Sequence, residues 1–136
     1  MTIGGEPVLF PDAAAAVITY LGGLSSLSGV PIRHTEPNPL PPTFVLVHRT
    51  GGQVRGLVVD DAYLTIEAWS PTAEGAHDLL QVVRSEIHAT AGHYITPSAL
   101  VYRVDEIGGV IWQPDPDTAR PRYAWTASVS LRGGPA

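Results

Sequence analysis

Residues 62–92, AYLTIEAWSPTAEGAHDLLQVVRSEIHATAG, decide how this chain folds. In the first eight, Ala62, Leu64, Ile66 and Ala68 alternate with Tyr63, Thr65, Glu67 and Trp69. That period of two puts the apolar set on one face of a strand, and the β-branched and aromatic residues suit it. Ser70-Pro71 ends the strand. The serine hydroxyl can cap a helix, and proline fits a first helical position that needs no N–H partner. Glu74 adds a carboxylate near the positive end of the helix dipole. Beyond it, Ala76, Leu80, Val83 and Ile87 recur at spacings of four, three and four. Leu79 and Val82 widen this stripe, while Asp78, Gln81, Arg84, Ser85 and Glu86 take the other side. Gly92 supplies a C-terminal stop. A strand feeding directly into an amphipathic helix predicts a two-layer unit, helix on sheet.

Upstream, Pro11-Asp12 opens a first helix with Ala14, Val17, Ile18 and Leu21 on one face, closed by Gly22-Gly23. Leu24 to Gly29 is a Ser/Gly connector, and Val30 to Pro42 carries five prolines. Proline lacks the donor for regular pairing, so this segment reads as an extended, semi-rigid arm, either a plain connector or a reach toward a neighbouring subunit. FVLVHR (44–49) is a strand and TGGQVRG (50–56) a glycine-rich turn or loop. It is not a phosphate loop, because no Gly-Lys-Ser/Thr follows. Leu57 to Asp61 leads into the central strand with an irregular start at Asp60-Asp61.

Downstream, LVYRV (100–104) is a third strand, interrupted at Gly108-Gly109 before Val110-Ile111-Trp112. QPDPDTARP (113–121) is a turn-rich loop. RYAWTASVSLR (122–132) is the last strand, and GGPA a frayed tail. The order is helix–strand–strand–helix–strand–strand. This predicts one α+β domain over residues 1–136: a two-layer sandwich of two helices on a mostly antiparallel sheet of four or more strands.

The 136 residues suffice for one core, and 44% are hydrophobic against 15% charged. No apolar run nears the roughly 18 residues of a membrane span, and MTIGGEPVLF lacks the pattern of a signal peptide. Cysteine is absent, which excludes disulfides and thiolate chemistry. The net charge is −5, and the eight basic residues, all Arg, are scattered from Arg33 to Arg132. No basic patch for nucleic acid is visible.

Catalytic patterns are missing. His77 and His88 lie eleven apart on one helix, about three turns, too far for one metal. His34, His48 and His93 have no ligand spacing around them. Asp115 and Asp117 in PDPD lack the glycine and closing Glu of a calcium loop, so they read as turn residues. Asp60 and Asp61 point to opposite faces of a strand, and no serine sits in a nucleophile elbow. No cofactor is expected. Trp69, Trp112, Tyr123 and Trp125 cluster on strands, as a core group or in part as partner contacts.

Three segments together resemble the tail terminator and tail-completion proteins of long-tailed bacteriophages, particularly those of actinobacterial hosts. They are the Pro-rich run ending PPTFVLVHRTGG, the unit IEAWSPTAEGAHDLLQVVR, and the late IGGVIWQPDPDTARPRYAWTASVSLRG. The resemblance spans Pro31 to Gly133. It implies a structural, non-enzymatic virion subunit, assembled in the host cytoplasm. Such subunits form a ring, typically hexameric, at the head-proximal end of the tail tube, where they end tube polymerisation and join the neck. The implied partners are further copies of the chain, the major tail tube protein and a neck or head-completion protein. Genomic DNA passes through the lumen without specific binding, and no membrane is involved.

On this reading Trp112, Asp115, Asp117, Arg120, Arg122 and Tyr123, around the late loop, are candidates for a subunit or partner interface. Gly51, Gly52, Gln53 and Arg55 are candidates for a loop toward the neighbour or tail tube. A head–tail connector of the same virion is one alternative. A small α+β enzyme or ligand-binding domain is the alternative from another class.

Overall fold

From residue 7 to residue 135, the part of the chain that the computed structural model describes, nine strands and two α-helices follow one another, with a 3-10 turn at Ser25–Leu27. They are β1 (Val8–Leu9), α1 (Ala13–Gly22), β2 (Ile32–Arg33), β3 (Phe44–Arg55), β4 (Val59–Trp69), α2 (Ala73–His88), β5 (Tyr94–Thr96), β6 (Ala99–Glu106), β7 (Ile111–Trp112), β8 (Arg122–Arg132) and β9 (Gly134–Pro135). The long elements keep the predicted order. The main sheet runs β2-β3-β4-β8-β6-β5, with β7 paired to β8 past the end of β6. Strand β2 is parallel to β3, and the other pairings are antiparallel. The fold is therefore α+β, with two helices and a mixed, curled sheet, and not the antiparallel two-layer sandwich expected. The departure starts in the proline arm. The Pro31 carbonyl accepts from Val45 N at 2.9 Å, which aligns Ile32–Arg33 beside Val45–Leu46.

Strand β4 is central, paired over its full length with β3 and with β8. Its alternation works as read: Ala62, Leu64, Ile66 and Ala68 are all 0% exposed. They join Val45, Val47, Trp125, Ala127, Val129 and Leu131 on the face that α1 and α2 cover. From α2, Ala76, Leu80, Val83 and Ile87 enter this core. Burying each of the larger side chains contributes about 1.5–3 kcal/mol. Val82, expected to widen the stripe, is instead exposed.

The start of α2 also differs. Thr72, not Ser70, is the cap, accepting from Gly75 N at 3.0 Å. Ser70 is buried beneath it, and a Cβ at Gly75 would collide with the Ser70 hydroxyl. Glycine there lets the first turn close down on the end of β4. The helix ends at His88 with Ala89 as its C-cap, and Gly92, at φ +84, turns the chain afterwards.

The 50–56 segment is not a loop. Strand β3 continues through Gly51 and Gly52 to Arg55, with a register shift after Arg49, and the turn falls at Gly56–Val58. Nor is the tail frayed. Gly133 N donates to the Val58 carbonyl, and Gly134–Pro135 pairs with Val8–Leu9; Ala136 and residues 1–6 lie outside the described part.

Among the described residues, no α-helix covers the second face of the main sheet. Phe44, Leu46 and Trp69 form a small buried cluster at one end, with the two rings stacked at 5.0 Å. In the middle, the hydroxyls of Thr50, Thr65 and Thr126 link three strands at 3.1 and 3.0 Å. At the other end, Ser130 donates to Asp61.

Candidate functional site

The late loop is a closed structure. Gln113 N bonds to the Arg122 carbonyl, Asp115 N to the Arg120 carbonyl and Ala119 N to the Asp115 carbonyl, all within 3.0 Å. The Asp115 carboxylate accepts from the Thr118 hydroxyl and backbone N–H. Those bonds, the hydroxyl first, hold its carboxyl below the usual range. The turn reading of PDPD thus describes how Asp115 is used.

Arg120 and Arg122 point into the chain itself. The Arg120 guanidinium donates to the Pro41 and Pro42 carbonyls at 2.8 and 3.0 Å, and lies 5.7 Å from the Phe44 ring and 5.6 Å from Trp69. Arg122 donates to the Gln113 carbonyl at 2.7 Å, lies 5.0 Å from the Trp69 ring, and sits 3.7 Å from the Glu67 carboxylate. A guanidinium over an aromatic face gains cation–π attraction while its N–H groups stay free for carbonyls. Over Phe44 and Trp69, Arg120 therefore clasps the proline arm and Arg122 the late loop to the sheet. The arm ends against its own chain.

Of the remaining late-loop candidates, Trp112 and Asp117 are exposed. Trp112 leans on Tyr123 at 5.1 Å, and Tyr123 meets His77 of α2 edge-on at 5.3 Å. This aromatic stack borders an open groove of about 250 Å³ lined by Ala73, Glu74, His77, Asp78 and Tyr123.

The other candidates lie on the β3–β4 hairpin. Gly51 and Gly52 pair with Tyr63 and Ala62, Gln53 with Asp61, and Arg55 with Val59. Gly52 has φ +104, and a Cβ there would overlap the Asp61 carbonyl, so the bulge requires glycine. Arg55 binds Asp61 at 2.9 and 3.3 Å, and this contact, ahead of Ser130, lowers the Asp61 carboxyl below its ordinary value. On the opposite face Arg49 grips the buried Asp60 with two bonds of 2.6 and 2.7 Å. The two aspartates do point apart, as expected, and each has its own arginine.

Sequence reading missed two features. The hairpin tip exposes Val54, Leu57 and Val58, with Leu57 at φ +63. An apolar pair after a glycine had read as the approach to a strand. The second is Glu106, which accepts from Arg84 at 2.6 and 2.8 Å, meets His88 Nε2 at 2.8 Å and accepts from Trp125 Nε1 at 3.3 Å. Arg84 above all, then His88, lowers its carboxyl from an ordinary 4.5 to about 2. This fastens α2 to β6 and β8.

Among the described residues no three His, Asp or Glu side chains group as a metal would need, and no helix is long and apolar enough to cross a membrane. A groove of about 490 Å³ is lined by Tyr94, Pro97, Ser98, Leu100, Arg132 and two glycines; none of the buried polar side chains lines it. Compared with known proteins, the chain matches no family model and no curated protein.

Proposed function

We propose that this chain is a structural subunit of a bacteriophage tail. It forms a ring, hexameric by the resemblance, that caps the head-proximal end of the tail tube, ends tube polymerisation and joins the tail to the neck. Its contacts are further copies of itself, the tube protein and a neck or head-completion protein, and the genome passes through the lumen unbound. The reading rests on the three resembling segments and on one structural observation. Large apolar side chains lie open near both ends of the sheet: Val54, Leu57 and Val58 at the hairpin, Ile111 and Trp112 toward the other end, each 46–56% exposed. Clustered as Val54, Leu57 and Val58 are, exposed apolar side chains favour a contact surface for another protein.

Electron microscopy of particles assembled without this chain tests the proposal. Tails of irregular length, or tails unjoined to heads, are expected. Joined tails of normal length would overturn it.

A further inference from the structure

Strand register sets two unlike ends of the sheet. Arg55, Val59 and Arg132 stand in one row; Phe44, Trp69 and Arg122 stand in another, ten residues along β4, or about 33 Å away. At the first end, the hairpin turn holds both Gly56 and Leu57 at positive φ, +61 and +63. Glycine or asparagine normally fills such positions, and a leucine resists them. The leucine kept there is 48% exposed, beside Val58 and Val54. Arg132, in the adjacent row, has no carboxylate partner among the described residues.

The second end is the complement. Trp112 and Ile111 are exposed, and the groove against Tyr123 is flanked by Glu74 and Asp78, with Asp117 on the late loop. None of these three carboxylates pairs with an arginine among the described residues. One chain therefore carries an apolar tip beside an arginine with no carboxylate partner and, at the opposite end, a recess where the Tyr123 ring lies beside carboxylates that no arginine holds, Asp78 meeting only His77 at 3.4 Å.

We infer that these ends bind each other between copies. The tip of one chain, led by Leu57, seats in the groove beside Tyr123 of the next, and Arg132 faces Glu74 and Asp78. The contact joins two different patches, so it propagates head to tail and closes into a ring where the rotation per copy allows. The opposite charges favour tip-to-groove docking and oppose tip-to-tip and groove-to-groove pairing. This inference rests on the ring reading above and names its two surfaces.

The chain has no cysteine, so Leu57→Cys and His77→Cys each introduce a unique thiol. Mixed under mild oxidation, the two variants are expected to give a disulfide heterodimer well above the homodimer of either alone. Leu57→Cys mixed with Val82→Cys, a site on the exposed side of α2, should give none. Arg132→Glu should lose the heterodimer, and Glu74→Arg with Asp78→Arg on the His77→Cys partner should restore it. Val54→Cys serves as the tip probe if Leu57→Cys lowers the melting temperature. Dominant Leu57→Cys homodimers, equal capture by Val82→Cys, or no effect of Arg132→Glu would overturn the inference. So would Leu57-dependent flotation with anionic vesicles, which would make the tip a lipid contact. If the chain forms rings by electron microscopy yet fails the thiol test, the surfaces are wrong and the ring stands. If no contact between copies is captured in particles or in solution, both fail.

Discussion

At one end of the sheet, Arg120 and Arg122 lie over Phe44 and Trp69 and bond to carbonyls of the proline arm and the late loop. At the other, Arg55 and Arg132 stand beside Val54, Leu57 and Val58, which stay open to solvent. Both ends combine arginines with large apolar side chains. The difference is what lies opposite. The arm brings Pro41 and Pro42 carbonyls with no ladder partner of their own, so the Arg120 guanidinium is satisfied within the chain and the rings beneath it are sealed. At the hairpin Arg55 is held by Asp61, and among the described residues no segment covers Val54, Leu57 and Val58. The same chemistry closes a core at one end and leaves a contact surface at the other.

The sharpest way to break this comparison is at the sealed end. Trp69 is 1% exposed and stacked on Phe44. Trp69→Ala should cost about 3–5 kcal/mol in urea denaturation. A loss below about 1 kcal/mol would mean that the cluster is surface decoration. Gly52→Ala comes next. The bulge demands φ +104 and a backbone approach that a methyl group blocks. A loss of about 2–3 kcal/mol is expected, with the hairpin amides losing hydrogen-exchange protection first. Unchanged stability would show that the strand does not need its bulge.

Glu106 tests charge without burial of a ring. Its carboxyl sits at about 2 in the fold, against an ordinary 4.5, chiefly because of Arg84. A depressed carboxyl stabilises the fold fully above about pH 4.5, and the contribution fades as pH falls toward 2. The site is half-open, so Glu106→Gln should cost about 1 kcal/mol at pH 7. It should also flatten the stability profile in that acid window. An unchanged profile would discount the network. The smallest expected effect is at the open end. Leu57→Gly relieves the left-handed leucine and should raise stability by about 0.5 kcal/mol in thermal melts. A loss of stability would mean that Leu57 packs within its own chain.

Much of this architecture was legible. The last strand runs Arg122–Arg132 as read, and the stripe residues Ala62, Leu64, Ile66 and Ala68 of β4 and Ala76, Leu80, Val83 and Ile87 of α2 are all buried, though Asp60 and Trp69, read off that stripe, are buried as well. Local pattern failed where long-range pairing decides. Gly51-Gly52 looks like a turn, yet the hairpin partner recruits both glycines into a bulged strand. Strands β1, β2, β5 and β9, two or three residues each, exist only through their neighbours. Sequence named the late loop as a candidate interface but held nothing on how its arginines would point. Arg120 meets Pro41 from 79 residues away, a partnership no spacing rule contains. The exposed leucine went unread because Gly56-Leu57 lacks the Asn-Gly signature of such a turn.

The threonine ladder carries a property of its own. A hydroxyl donates one proton, so Thr50, Thr65 and Thr126, joined at 3.1 and 3.0 Å, can form one continuous donor-to-acceptor wire with two polarities. The Thr65 oxygen, with two lone pairs, can also accept from both neighbours at once, and each bond polarises the next. Thr65 is the only hydroxyl shared by both bonds. Removing it would disconnect both outer strands from the wire, whereas removing Thr50 or Thr126 would leave one bond intact. The three positions should therefore act as a single coupled rotor across β3, β4 and β8, with losses that do not add.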